Sequence, residues 1–560
     1  MGDRGVLIFF DMKHYILYTA ALVSLSAIPA MAQETYESAK IATEDLNGTA
    51  RYVGMGGAME ALGADLSTIN SNPASIGLFR KSGITLTMGA TAVSGSDADA
   101  AHTLDITNKK TPMSFDQMGF VYSNESSNGN FLNFAFNYHK SRNFNQILSH
   151  QAALNNASQN KIPYQKDLYE NVNSGGYWMD YDSQNRLIGY EDQYSPNPSA
   201  CYTVMDYLIW NSFLVDPADG TAYYYKGTDY LFARNQKGYI SNFDINISGN
   251  HNDRIYWGIT FGFKDVNYSH EQAYRENLVN NNRLSAGYLE TYDRREITGQ
   301  GYNISAGVIF RPIDASPLRI GLSVSTPTWY ELKSKSFTQI YNKGYDQTLD
   351  IPIGMYDSVK RDNEWEYKVF TPWKFGASVG YTIGKEIALG ASYEYSDYTA
   401  LDNRVITGFT YNDYYGREEA ESKSDNVMNH HTEKTLRGVS TLKLGAEYRV
   451  MPELALRAGY NYVSPMYQTN GERSTRLNAD GCYFSSTTDY VNWGATNRFT
   501  FGVGFNIDDF NIDVAYQRSM QKGDFHAFET ITVDDTPNRA PTVEVKDNRD
   551  QFLITLGYRF

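Results

Sequence analysis
After Ser82 apolar residues recur at every second position in run after run, and one of the two faces so formed excludes charge. In LRIGLSVS, Leu318, Ile320, Leu322 and Val324 take one face, and Arg319, Gly321, Ser323 and Ser325 the other. LKLGAEYRV sets Leu442, Leu444, Ala446, Tyr448 and Val450 against Lys443, Gly445, Glu447 and Arg449. LALRAGYNY sets Leu454, Leu456, Ala458, Tyr460 and Tyr462 against Ala455, Arg457, Gly459 and Asn461. The closing QFLITLGYRF carries Phe552, Ile554, Leu556, Tyr558 and Phe560 in one phase. A period of two is a strand with unlike faces. A soluble sandwich turns the apolar face into a core. An outer-membrane barrel turns it to lipid, where a mid-bilayer Arg or Lys costs about 2–4 kcal/mol.

Connection lengths separate these two. About 14 strands are expected, starting near residues 82, 114, 131, 238, 254, 296, 317, 366, 386, 436, 453, 497, 510 and 550. Short links (SNESSNGN, GNHND, RPIDASP, IGKE, RVMPE, DD) alternate with long ones after Leu148, Tyr268, Tyr330, Tyr398, Ser464 and Met520. Short turns at one end and long loops at the other are the habit of a bacterial barrel. The expected fold class is therefore all-β, a transmembrane antiparallel barrel. An even strand count returns both ends to one side, and a terminal Phe560 on an alternating strand is the usual address for the barrel-assembly machinery. The 45 Tyr and 28 Phe suit a surface that is apolar at one end and wet at the other.

Residues 1–32 read as an export signal: Lys13 and His14, the apolar YILYTAALVSLSAI, then Ala30-Met31-Ala32 before Gln33. The start is either Met1 or Met12. No later stretch has about 18 consecutive apolar residues, as a spanning helix needs. With 49 Lys+Arg against 64 Asp+Glu and a net charge of -15, no positive field favours nucleic acid.

ARYVGMGGAMEALGADLSTINSNPASIG, Ala50 to Gly77, holds five glycines. It fails as a nucleotide loop: IATEDLNGTA upstream is no buried strand, Met59 stands where a third glycine belongs, and no Lys-Ser or Lys-Thr follows Gly63. The stretch resembles the start of the FadL/TodX outer-membrane transporters of hydrophobic compounds. GYNISAGVIFRP, TPWKFGASVGYTIGK, IALGASYEYSDYTALD and TNRFTFGVGFNIDDFNIDVAYQ fit the same family, so the resemblance covers most of residues 50–560. It implies an N-terminal hatch, residues 33–81, plugging a 14-stranded barrel of residues 82–560. Gating is then expected at Gly54, Gly56, Gly57 and the Asn72-Pro73-Ala74 motif. It also implies passive uptake of hydrophobic small molecules, with long-chain fatty acids the default, by capture outside, a lumenal pocket and hatch movement. Physically, a plug must turn tightly and lie close to the wall, which glycine permits. Asp65 is a plausible cap for LSTINS, and Pro73 ends that helix and holds Asn72 extended. The long loops, above all 149–237, exceed those expected of the fatty-acid members.

Within that longest loop, YTVMDYLIWNSFLVDP is too apolar for a solvated segment. Met205, Leu208, Ile209, Trp210 and Phe213 are candidate ligand contacts on a helix over the barrel mouth, or else loop-to-loop packing. Arg319, Lys374, Glu394, Lys443, Glu447, Arg449, Arg457 and Asp513 face the lumen by parity, and pairing with one another or with the hatch is the favoured role. Cys201 and Cys482 both fall in outer loops of an oxidising compartment, where a disulfide is open to them. His430, His431 and Glu433 are adjacent but point different ways on a regular backbone. No catalytic signature, cofactor or TonB-box is evident. The expected partners are a hydrophobic small molecule, outer-membrane lipid and lipopolysaccharide, with the barrel a monomer. A general diffusion porin and a surface adhesion barrel remain rivals.

Overall fold
The computed structural model describes residues 34–94, 103–106, 113–126, 129–166, 178–181, 187–191, 203–209, 224–279, 285–343, 345–346, 351–352, 363–412, 417–477, 479, 485–533 and 536–560. The expected signal, Cys201, Cys482, Trp210 and Phe213 lie outside them.

Fourteen antiparallel strands close a barrel. They are β1 Gly83–Ser94, β2 Met113–Glu125, β3 Phe131–Asn143 prolonged by Gln146–Ala153, β4 Lys226–His251, β5 Ile255–Val279 and β6 Ser285–Phe310. Next come β7 Arg319–Ser325 with Trp329–Asn342, β8 Asn363–Phe370 with Lys374–Ile383, and β9 Ile387–Asp397 with Asp402–Asn412. β10 is Arg417–Ser424 and, after the helix Asn426–Thr435, Gly438–Met451. β11 Leu454–Val463, β12 Tyr490–Ile507, β13 Phe510–His526 and β14 Val543–Arg559 complete the circuit. Closure is direct: in β1, Leu86 pairs with Met118 of β2 on one side and Leu556 of β14 on the other.

The outward face is an apolar belt. Ile245, Ile247, Ile255, Trp257, Ile259, Phe261, Leu322, Phe375, Leu444, Phe501, Ile512 and Ile554 are exposed large hydrophobics on neighbouring strands. No soluble barrel would leave such a band in water, so the belt faces lipid.

The strands outrun the membrane. β4 has 26 residues and β5 has 25, whereas about 9–11 tilted residues span a bilayer. Beyond the belt the pattern inverts. In β5, Ile255, Trp257, Ile259 and Phe261 point outward, while Val266, Tyr268, Tyr274 and Leu278 on the opposite parity are buried inside. Water outside the extension demands polar groups there, and the interior becomes a core. The expected strand starts are therefore close at the short-turn end (83, 131, 255, 319, 387, 454, 510), whereas at the other end, β2 at 113 apart, they are late. β4 starts at 226, not 238; β6 at 285, not 296; β12 at 490, not 497; β14 at 543, not 550. Part of the expected loop 149–237 and of the loop after Tyr268 is likewise a continued hairpin: Gln146–Ala153 pairs with Asp229–Gln236, and Val279 with Ser285.

Candidate functional site
Residues 34–79 lie inside the barrel, and Arg80 and Lys81 reach its rim, where they pair with Asp253 and Asp509 of the short turns. The first helix, α1 Thr35–Ala42, sits among outer-half residues: Tyr36 stacks on Tyr467 at 5.0 Å, and Thr35 Oγ1 lies 2.9 Å from both His431 Nδ1 and Thr432 Oγ1. The chain then descends through Glu44 and Asp45 to a knot of short turns near the short-turn end. Thr49 Oγ1 accepts from Tyr52 N and caps the helix Ala50–Gly54. Asp65 Oδ1 accepts from Ser67 N at 3.0 Å and caps Leu66–Thr68. Asn72 is extended at φ −147, and its Oδ1 accepts from Ala74 N at 3.2 Å. The helix expected over LSTINS is only the turn Leu66–Thr68, which stops before Pro73; Pro73 instead opens the 3₁₀ turn Pro73–Leu78 at its first position, where a missing N–H costs nothing.

Eight consecutive strands each present a glycine to this knot. A Cβ built on Gly258 of β5 would overlap Pro73 O, and one on Gly307 of β6 would overlap Asn72 Oδ1. On Gly321 of β7 it would lie 2.9 Å from Asn72 Nδ2, and on Gly380 of β8 3.0 Å from the Ala61 carbonyl carbon. Gly390 (β9), Gly445 (β10) and Gly459 (β11) would overlap backbone atoms of Ala58, Met55 and Gly56, and Gly502 (β12) would approach Gly54 Cα at 3.3 Å. Gly380, Gly390, Gly445 and Gly459 are register partners in one row. The inner chain thus winds along the wall from Gly54 at β12 to Pro73 at β5, its backbone against six of these glycines and the Asn72 side chain against the other two. Gly56 makes the same demand from the inner side: at φ +63, its Cβ would lie 2.8 Å from Leu444 O and Tyr460 N. Gly57, at φ +81, packs instead against Leu46 and Tyr52 of the knot itself.

Charge secures what shape allows. Glu447 accepts from Arg51 of the inner segment at 3.0 Å and from Arg457 at 2.7 Å, and Arg457 reaches Asp513 at 2.6 Å. Lys443 donates to Glu60 at 2.7 Å, and Arg319 to Leu62 O at 2.8 Å. Lys374 reaches Glu44 at 2.6 Å, and Glu394 lies 3.8 Å from Lys443. Arg449 is exposed beside the short turn.

Above the knot is a cavity of about 320 Å³. Leu46, Tyr52 and Asn70 floor it, Tyr268, Tyr398, Tyr467, Tyr490 and Trp493 line its sides, and residues 34–47, here called the strap, run through it. Burial raises the Glu44 carboxyl, but Lys264 and Lys374 more than offset this and hold it well below the carboxylate range. Asp45 is likewise lowered, its burial outweighed by Arg142, Arg549 and Arg498. Burial, with Arg234 adding to it, lowers the Lys40 ammonium to about 7. A lowered lysine favours the seated strap only where the displaced strap also gives up its proton. Through Lys40, seating is therefore expected to strengthen as pH rises from about 7 toward the ordinary lysine value; the Glu44 and Asp45 contributions fall away below the ordinary carboxylate range, while Glu34, raised by burial, favours seating on that acid side. A spin label at Thr43→Cys should grow less mobile across the alkaline window, and Lys40→Met should abolish that change.

The loop candidates sit elsewhere. Met205, Leu208 and Ile209, on the helix Val204–Ile209, are all buried, packed with Leu278, Leu289 and Ile340 of the barrel extension. They do not line the large cavity. Their apolar character is explained by that packing. His430 and Glu433 face solvent, whereas His431 turns inward to Thr35. Parity did not find the strap acids Glu34, Glu37, Glu44 and Asp45; their spacing at i, i+3 and as an adjacent pair is the only trace of them in the sequence.

No family model matches the chain, and no curated protein matches it. Among solved structures, a Pseudomonas aeruginosa FadL homologue is similar at 12% identity and TM-score 0.46, over 93% of this chain and 99% of that one. The Ralstonia pickettii toluene transporter TbuX is similar at 12% and 0.43, over 92% and 99%; the P. putida toluene transporter TodX at 10% and 0.45, over 92% and 99%. The barrel described above stands on its own strand pairing.

Proposed function
We propose that this chain is an outer-membrane transporter for passive uptake of hydrophobic small molecules, gated by residues 33–81 as a hatch, with long-chain fatty acids the default solute. The observation that carries the reading is a lumen closed by a separate segment of chain, held against glycines rather than woven into the sheet, with a cavity directly above it. A general diffusion porin needs an open water path, and the contacts of residues 50–77 with strands on all sides of the barrel argue against one. The solute class comes from the resemblance carried by Asn72-Pro73-Ala74, and the aromatic flank of the cavity is compatible with it. Met205, Leu208 and Ile209 serve here as the core of an outer cap rather than as ligand contacts.

The test is uptake of labelled oleate and of a small aromatic by cells expressing the chain, beside Asn72→Ala/Pro73→Ala at matched surface level. The variant loses a cap worth about 1 kcal/mol and the fixed φ that starts the last turn. Saturable uptake by the wild type, altered severalfold in the variant, is the expected result. Equal background uptake by both would remove transport of these solutes and leave the outer extension as the place of function.

A further inference from the structure
Asp244 of β4 is a fully buried carboxylate. Among the described residues, neither of its side-chain oxygens accepts a hydrogen bond. Beside it is His139 of β3, whose Nδ1 lies 3.3 Å from Asp244 Oδ2. The hydrogen bonds upstream decide what that nitrogen does. Ser67 Oγ accepts from Thr49 N and donates to Gln117 Oε1 at 3.0 Å. Gln117 Nε2 donates to Asn137 Oδ1 at 2.8 Å, so Asn137 turns its Nδ2 toward His139 Nδ1, 3.2 Å away. The imidazole nitrogen is then an acceptor, and two acceptors face each other at His139 and Asp244. The register partner of Asp244 is Gly262 of β5, and Lys264, two residues along, spends its ammonium on Glu44 at 2.6 Å.

Asn303 of β6 and Asn246 of β4 bring further oxygens to this place. Asn303 Oδ1 and Asp244 Oδ1 converge over Gly262, where a Cβ would lie 2.5 Å from the first and 3.0 Å from the second. Asn303 directs its Nδ2 to Asn70 Oδ1 and Ser305 Oγ, both at 3.3 Å. Asn246, two residues from Asp244 on the same face, directs its Nδ2 to Thr260 Oγ1 at 2.9 Å. Thr260 gives its own proton to Ile69 O, which fixes the sense of that amide. Among the described residues, Asn246 Oδ1 and Asn303 Oδ1 are also buried without a donor. A buried charge is costly unless it is paired or binds a metal. We propose that Asp244, Asn246 and Asn303 form a calcium site in the wall of β4–β6. One carboxylate with amide carbonyls is a hard, all-oxygen donor set of the kind calcium takes, whereas magnesium demands a stricter octahedron and keeps its waters. A single charged ligand puts the site in the weak class, with a Kd of about 10⁻⁴–10⁻³ M. Asn70, His139 and Asn303 line the cavity, which is the way in. Because Asn303 also holds Asn70, the ion ties the wall to the inner segment, whatever solute is carried.

The full chain is purified in detergent free of lipopolysaccharide, stripped with chelator, and melted in calcium, magnesium or sodium chloride at matched ionic strength. About 5 mM calcium, above the expected Kd, should raise the melting temperature, and magnesium and sodium should not. Tb³⁺ luminescence, excited through the aromatic residues, should be quenched by calcium with the same Kd. Asn303→Ala should weaken calcium about tenfold. Asp244→Asn should abolish the calcium response yet melt above the chelated wild type, since it removes an unpaired buried charge. That gain separates loss of the site from misfolding. Asp265→Asn, on the outward face of β5, should respond as the wild type does. A wild type that calcium leaves unmoved, or that sodium stabilises as well, overturns the site. So does a calcium response that survives in Asp244→Asn. A chelated Asp244→Asn protein melting below the chelated wild type would also overturn it, and would assign the carboxylate to an ion pair with a protonated His139.

Discussion
Gly390→Leu is expected to unseat the inner segment and turn a closed barrel into a conducting one. The position tolerates not even a Cβ, which would overlap the Ala58 carbonyl oxygen. Neither side can yield by a rotamer change, because both surfaces are main chain. Gly390 is fixed by its register partners Gly380 and Gly445, and these lie against the same inner chain. Overpacking a tight interior costs about 1–3 kcal/mol where side chains can adjust, and backbone against backbone offers less adjustment. The barrel itself is held by closed strand pairing, so the segment should give way first. Single-channel recording should show conductance where the wild type is closed, while heat-modifiability on gels reports a folded barrel. Gly408→Ala is the control, since a Cβ there meets nothing within 4 Å. A Gly390→Leu protein that stays closed with an unchanged melting temperature would mean that the wall and the segment are not in the contact described.

The same glycines mark how far the sequence could be read. Period-two alternation and turn spacing located the fourteen strands because lipid enforces a single rule on the outward face of each. That rule ends where the strand leaves the bilayer. Above it Tyr268 and Leu278 turn inward on the parity opposite to Trp257 and Phe261, so a continuous ladder reads as loop once its apolar phase flips. Gly321, Gly445 and Gly459 were legible as members of the small-residue face, but their meaning was not. Glycine on a lumen face is ordinary until a second segment is placed 3 Å away, and that is a fact of tertiary contact. The N-cap at Asp65 was readable because it closes on backbone two residues away. Glu44 and Asp45 were not, since their partners lie at residues 142, 264, 374, 498 and 549. The apolar run at Met205–Ile209 was correctly conspicuous, yet composition alone does not distinguish a side chain that meets ligand from one that meets Leu278 and Ile340.

Glu447→Gln should loosen the closure nearly as much by charge as Gly390→Leu does by shape. Arg51, Arg457, Glu447 and Asp513 form a balanced cluster of two cations and two anions. Among the described residues, Glu447 is the member of the cluster that ion-pairs with Arg51 of the inner segment. Neutralising it leaves two guanidinium groups facing one carboxylate in a buried site. Breaking a buried pair from one side costs about 3–5 kcal/mol, most of it the penalty of the stranded charge. The chain can relieve that penalty in one way, by moving Arg51 out toward water, which means withdrawing the helix Ala50–Gly54 from the wall. Arg51→Met should be milder, because Glu447 keeps Arg457 at 2.7 Å. Arg51→Met/Glu447→Gln should be less destabilised than Glu447→Gln alone, since the double change restores neutrality, with a coupling of about 1–3 kcal/mol. Thermal unfolding of the three purified proteins, with bilayer conductance of each, measures both halves of the claim. A Glu447→Gln protein as closed and as stable as the wild type would assign the seating of the segment to the glycine row alone. A double variant worse than either single one would mean that Arg51 acts through packing of its stem against the wall, not through its charge.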